Sequence, residues 1–85
     1  MEVIYKSEAL DDIKFWKDSG NVAVQNKISK LIEDIRQHPF TGIGKPEALR
    51  FNLSGCWSRR ITDKDRLVYE VKDGNIHVLS LRGHY

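Results

Sequence analysis

Residues 24–35 read Val24-Gln25-Asn26-Lys27-Ile28-Ser29-Lys30-Leu31-Ile32-Glu33-Asp34-Ile35, and the spacing of their apolar members decides the fold. Val24, Ile28, Leu31, Ile32 and Ile35 recur at i, i+4, i+7, i+8 and i+11, the period of one helix face. Pro39 stops the pattern, because a proline drives the residue before it, His38, out of helical geometry. From Pro39 to Pro46 the composition shifts to Gly42, Gly44 and the two prolines, a loop. Beyond that loop the apolar period drops from about 3.6 to 2, the mark of strands.

Upstream, Val3-Ile4-Tyr5 is a short strand candidate. Ser7 is placed to cap a first helix, with Glu8, Asp11 and Asp12 favourable to its dipole. Leu10, Ile13 and Trp16 supply its apolar face and Gly20 its stop. Downstream, Leu49, Phe51 and Leu53 alternate with Ala48, Arg50 and Asn52 as in a strand, and Ser54-Gly55 turns the chain into Trp57–Ile61. Thr62 to Asp65 is a polar turn, after which Leu67, Tyr69 and Val71 alternate with Arg66, Val68 and Glu70. Asp73-Gly74 predicts a tight hairpin into a last run, Ile76–Leu81. Short turns require antiparallel neighbours. The expectation is therefore one α+β domain over residues 1–85, with an N-terminal short strand and two helices packed on one face of a mainly antiparallel sheet. Glu47 and the arginines of the second half, Arg50, Arg59, Arg60, Arg66 and Arg82, are expected on the other face or its rim. Register across Thr62–Asp65 stays open, and with it which arginines share a face.

Composition narrows the function classes. A hydrophobic fraction of 40% with 31% charged residues describes a folded chain rather than a disordered one. No apolar run approaches the roughly 18 residues of a membrane span, and Met1–Lys6 lacks the apolar stretch of a signal peptide. Cys56 is the only cysteine, so an internal disulfide is impossible and a reducing cytoplasm is the expected home. The net charge of +2 says little about nucleic acid on its own. The crowding of arginines into the second half says more, since the planar guanidinium donates two parallel hydrogen bonds to phosphate.

Three chemistries can be weighed. His38, His77, His84 and Cys56 match no compact zinc spacing; His77 reads as an exposed strand residue and His38 as a partner of the helix dipole. No metal or other cofactor is expected. Cys56 fits a small buried hydrophobe better than a nucleophile. Metal-free RNA cleavage draws more residues together. It needs a base for the ribose 2′-hydroxyl, a cation for the dianionic phosphorane and an acid for the leaving 5′-oxygen. Glu47 suits the base, Arg66 or Arg60 the cation, and His84 the acid, its protonated form favoured by the terminal carboxylate beside it. Tyr85 can stack on an unpaired base. The plainer alternative makes Glu47 a solvated strand start after Pro46 and the arginines guards of an exposed edge.

Several stretches together carry a resemblance: Gly42-Ile43-Gly44-Lys45-Pro46-Glu47, Leu53-Ser54-Gly55-Cys56-Trp57-Ser58-Arg59-Arg60-Ile61, Arg66-Leu67-Val68-Tyr69, and Gly83-His84-Tyr85. The chain resembles, from end to end, the YoeB (Txe) toxins of the RelE/ParE superfamily, the toxic halves of bacterial toxin–antitoxin pairs. Asp11-Asp12 and Trp16 in the first helix match as well. The resemblance implies a RelE-like, microbial-RNase-like fold and a ribosome-dependent endoribonuclease that cuts mRNA in the A site by metal-free acid–base catalysis. Carried over by position, Glu47 is the base, Arg66 the transition-state stabiliser, His84 the acid and Tyr85 the substrate-orienting residue. Arg60 contacts the scissile-phosphate region, and Lys45 and Arg50 hold mRNA or ribosomal RNA backbone. Implied partners are a YefM-like antitoxin, the ribosome with its mRNA, and a second copy in a homodimer, with no membrane.

Three positions depart from the family pattern. Cys56 stands where relatives often carry an aromatic, Arg50 replaces a lysine, and Gly83 replaces a bulkier residue and is expected to loosen the backbone before His84. The rival reading is a non-catalytic or gyrase-directed toxin on the same scaffold. It is disfavoured by the joint presence of Glu47, Arg66, His84 and Tyr85.

Overall fold

The computed structural model describes residues 1–83; His84 and Tyr85 lie outside the described residues. In chain order the elements are β1 (Val3–Tyr5), α1 (Ser7–Ser19), α2 (Val22–Gln37), β2 (Glu47–Ala48), β3 (Trp57–Arg60), β4 (Arg66–Lys72) and β5 (Asn75–Ser80). A single 3-10 turn lies at Phe51–Leu53. The strands form one sheet in the order β1-β5-β4-β3-β2. β2 through β5 pair antiparallel as a meander, and β1 lies parallel to β5 at the far edge.

The α2 stripe behaves as its period demands: Val24, Ile28, Leu31 and Ile35 are buried, and the helix ends at His38. They pack against Leu67, Tyr69, Ile76, Val78 and Leu81 in one core. Each fully buried Leu or Ile contributes about 1.5–3 kcal/mol. On α1 the face is rotated from the expected one. Leu10 is exposed, and Ala9, Asp12 and Trp16 point inward. Asp12 is tolerated there because its Oδ2 accepts the Leu81 N–H at 2.9 Å, while Trp16 Nε1 donates to the Leu81 carbonyl at 2.9 Å. One helix thus holds both backbone groups of the residue that follows β5. Ser7 is the first helical residue rather than the cap, which is Lys6 with no side-chain bond.

The alternation over 48–53 does not become a strand. β2 ends at Ala48 on the sheet edge, where no further strand offers partners, so the backbone satisfies itself locally. Leu53 N–H bonds to Arg50 O at 3.1 Å and Ser54 N–H to Phe51 O at 3.0 Å, closing the 3-10 turn.

Arg59 departs most from expectation. It points toward the helices and is fully buried. Nη1 donates to Asp34 Oδ2 at 2.5 Å and to Ile43 O at 3.1 Å; Nη2 donates to His38 O at 2.6 Å and Thr41 O at 3.0 Å. Nε donates to the Tyr69 hydroxyl at 3.2 Å, which itself donates to Pro39 O at 2.5 Å. All five guanidinium donors are thereby used, three of them on carbonyls of a loop without regular structure. The loop must come close to be reached. A side chain at Gly42 would collide with the Asp34 carboxylate, and a Cβ at Gly44 would sit 2.6 Å from Leu31 Cδ2. Arg82 also leaves the expected face and lies over the Phe15 ring of α1, 3.6 Å from its centroid.

Arg59→Met should cost about 3–5 kcal/mol in urea unfolding, the range for breaking a buried ion pair on one side. Arg59→Lys should not restore it, because an ammonium cannot fork. A loss under 1 kcal/mol would contradict the hub. The hydrogen bond from Arg59 holds the Asp34 carboxyl below the ordinary carboxylate range, against its own desolvation and aided by the Ile43 N–H. A depressed value in the folded state stabilises fully above the unfolded pKa of about 3.9. The contribution then fades as pH drops from there toward the lowered value. The stability gap between the wild type and Asp34→Asn should therefore be flat from about pH 5 upward and narrow only below about pH 4.

Candidate active site

Sheet register assembles the charged residues that the sequence alone left unplaced. Glu47 stands opposite Ser58, Ser58 opposite Val68, and Arg60 opposite Arg66. Antiparallel partners share a face, and so do residues two apart on a strand. Glu47, Ser58, Arg60, Arg66 and Val68 thus lie together on the side away from the helices, while Arg59, Leu67 and Tyr69 take the other. With strands about 4.8 Å apart and a rise of about 3.3 Å, Glu47 and Arg60 are about 8 Å apart at Cα, with Arg66 one strand further on. The ground between is small and closed: Ser58, Val68 and Ser80 are each at most 2% exposed. A carboxylate at the edge and two guanidiniums in the next row around a short-chained floor can receive a phosphodiester and its ribose.

The loop before β2 is tied into this arrangement. Gly44 O accepts the Arg60 N–H at 2.7 Å, and Lys45 follows in a left-handed conformation, φ 53°. A non-glycine residue held there signals a backbone overruled by its surroundings. Lys45 and Arg60 line a cleft of about 330 Å³ with Lys27 of α2. Arg50 is exposed and begins the 3-10 turn. The Arg66 Nε is buried with no partner among the described residues.

Gly83, expected to loosen the chain, is held at both ends. Its N–H donates to Asp65 Oδ1 at 2.9 Å, and its carbonyl accepts the Arg66 N–H at 2.8 Å. The residue has φ 83°, which a bulkier side chain adopts only with strain. His84 and Tyr85, the remaining two site residues read from the sequence, lie outside the described residues. Asp12, Trp16 and Asp65, which hold Leu81 and Gly83, were not singled out for that role. For Asp12 a signal existed: Ala9, Asp12 and Trp16 at i, i+3 and i+7 place a carboxylate in an inward stripe. His77 is half-buried between Ile4 and Glu70 rather than exposed. Among the described residues no three of His, Cys, Asp and Glu gather as a metal would require.

Comparison with known proteins gives one consistent family. Residues 5–85 match the model of the YoeB-like toxin of bacterial type II toxin–antitoxin systems. The Escherichia coli K12 protein Toxin YoeB is 47% identical over 85 residues, covering both chains in full. The fold of a YoeB/ParE toxin from Agrobacterium tumefaciens superposes with a TM-score of 0.96 at 37% identity, again over both whole chains. Staphylococcus aureus YoeB, solved in a YoeB–YefM complex (TM-score 0.89, 37% identity, all of this chain and 98% of that one) and as a dimer (TM-score 0.90, 36% identity, the same coverage), is similar too.

Cys56 sits on the same face as Glu47 but is buried. Burial first, and the nearby Glu70 charge second, push its thiol up, so it stays protonated at neutral pH and its nucleophilicity is suppressed. The native thiol should alkylate with iodoacetamide at least about tenfold more slowly than in denaturant at the same pH; equal rates would show it reactive.

Proposed function

The chain belongs to the YoeB-like toxins of bacterial type II toxin–antitoxin systems, and on that premise we propose that it is an endoribonuclease that arrests translation by cutting mRNA in the ribosomal A site. The observation that carries this reading is the shared face of Glu47, Arg60 and Arg66 beside a pinned Gly83. Glu47 takes the proton from a ribose 2′-hydroxyl, and the oxygen attacks the adjacent phosphorus in line. Charge builds on the non-bridging oxygens, where preorganised donors stabilise it most. Arg66, with a buried Nε free of partners among the described residues, is the main donor, and Arg60 supports it from the neighbouring strand. His84 protonates the leaving 5′-oxygen, giving a 2′,3′-cyclic phosphate and a 5′-hydroxyl, and Tyr85 orients the nucleotide. Both follow directly on Gly83, whose two hydrogen bonds tie the chain to Arg66 and Asp65. Lys45 and Arg50 hold RNA backbone. No step requires a cofactor.

No helix is long and apolar enough to cross a membrane among the described residues; the proposed site of action is the cytoplasmic ribosome. The Staphylococcus aureus relative occurs with YefM and as a dimer, and this chain is assigned a YefM-like antitoxin and a second copy of itself as partners.

The test is to map 5′ ends on a defined message in a translating extract. Cuts at the occupied A site are expected, and message left intact by active, folded protein would refute the reading. Glu47→Ala and His84→Ala should each slow cleavage by about 10²–10⁴-fold, and Arg66→Ala by about 10²–10³-fold. Circular dichroism should show each of them folded. Growth arrest by a Glu47/His84 double variant equal to that of the wild type would remove the mechanism.

A further inference from the structure

Phe51 is 90% exposed, more than any other large apolar side chain among the described residues; the next, Val22, is at 62%. It also holds φ 58°, a left-handed conformation that is unfavourable for any residue with a Cβ and unusual for a bulky one. Solvation and local backbone energy thus both count against a phenylalanine here. The ring is nonetheless mounted on a fixed base. Ser54 N–H bonds to Phe51 O, Leu53 N–H to Arg50 O, and Cys56 N–H to Leu53 O at 2.9 Å. Residues 47–53 line one open hollow of about 570 Å³, so Phe51 and Glu47 border the same surface. Its chain neighbours Arg50 and Asn52 are polar and exposed.

We propose that Phe51 is a stacking platform for an unpaired nucleobase, with Arg50 beside it for the phosphate of the same nucleotide. An exposed aromatic on a hydrogen-bonded turn, next to a cation, is suited to gripping single-stranded RNA. The strain is the kind that functional positions carry at the expense of stability. This inference rests on the RNA-cleaving function proposed above. The base comes from the message or from ribosomal RNA, two sources with one chemistry.

The experiment compares Phe51→Ala, Leu, Trp and Gly in two backgrounds. In the wild-type background, cleavage of a defined message on ribosomes is measured. In a Glu47→Gln background, binding to ribosomes carrying the uncut message is measured. Ala and Leu should weaken binding and cleavage about 5- to 100-fold, the range for a lost base stack, and Trp should retain both. Leu supplies apolar area without a flat face, so full activity of Phe51→Leu would overturn the inference. So would Phe51→Ala within twofold of the wild type. Phe51→Gly should melt at the same temperature as the wild type or higher, while losing activity like Ala. A lower melting temperature would mean that the ring serves the fold. If the base is in the message, the loss should vary with the nucleotide at one codon position; if ribosomal, it should be uniform across codons. Absent cleavage with Phe51-dependent ribosome binding would remove the nuclease reading and leave the platform. Normal cleavage indifferent to Phe51 would do the reverse.

Discussion

Arg59 holds the molecule's least regular segment in place. Between α2 and β2 the chain runs from His38 to Pro46 without strand or helix, and its carbonyls would be orphaned against the core without a donor. One guanidinium supplies three of the needed bonds, takes Asp34 as counter-ion and reads the Tyr69 hydroxyl on the neighbouring strand. Such a cation is stable in the interior only because every donor is matched and the charge is paired. The dependence runs outward from there. Gly44 is held against Leu31 and Arg60, Lys45 and Glu47 follow within three residues, and Glu47 is thereby set on the same sheet face as Arg60 and Arg66.

The two adjacent arginines at 59 and 60 illustrate how a strand divides labour. They differ by one position, hence by one face. Arg59 meets a helix carboxylate and vanishes from the surface, while Arg60 meets Arg66 on the side away from the helices. Chemically identical side chains receive a structural and a surface role from parity alone. A slip of one residue in the β3–β4 register would exchange them, burying an arginine with no partner and exposing the one that stitches the loop.

How much was legible follows from how local each signal is. The α2 stripe, the stop at His38-Pro39, the Asp73-Gly74 hairpin and the period-2 runs of β3 to β5 are written in neighbouring residues, and they appear as read. The run over 48–53 has the same alternation, yet a strand also needs a partner, and sequence does not say where the sheet ends. Ser7 and Leu10 failed for a related reason, since the angle at which α1 meets β5 is set by Asp12 and Trp16 reaching Leu81. For the site, residue types were readable and grouping was not. Arg50, Arg59, Arg60, Arg66 and Arg82 look equivalent in one dimension, and only register and the Asp34 and Phe15 contacts sort them. Gly83 looked like slack because a glycine's freedom is visible in sequence, while the two hydrogen bonds that remove it are not. His84 and Tyr85 drew their meaning from motifs far upstream.

The parallel pairing of β1 with β5 has a temporal side. Val3, Ile4 and Tyr5 find their ladder on Ile76, His77 and Val78, so the first strand synthesised must wait for the last. Contacts this distant in sequence are slow to form and bring no gain until the loop between them has closed. A nascent chain can fold its helices and the β3–β4 ladder early. The sheet edge and the α1 grip on Leu81 come only once β5 and Leu81 have been made. The edge strand is thus the earliest part of the sheet to be made and the latest to be secured.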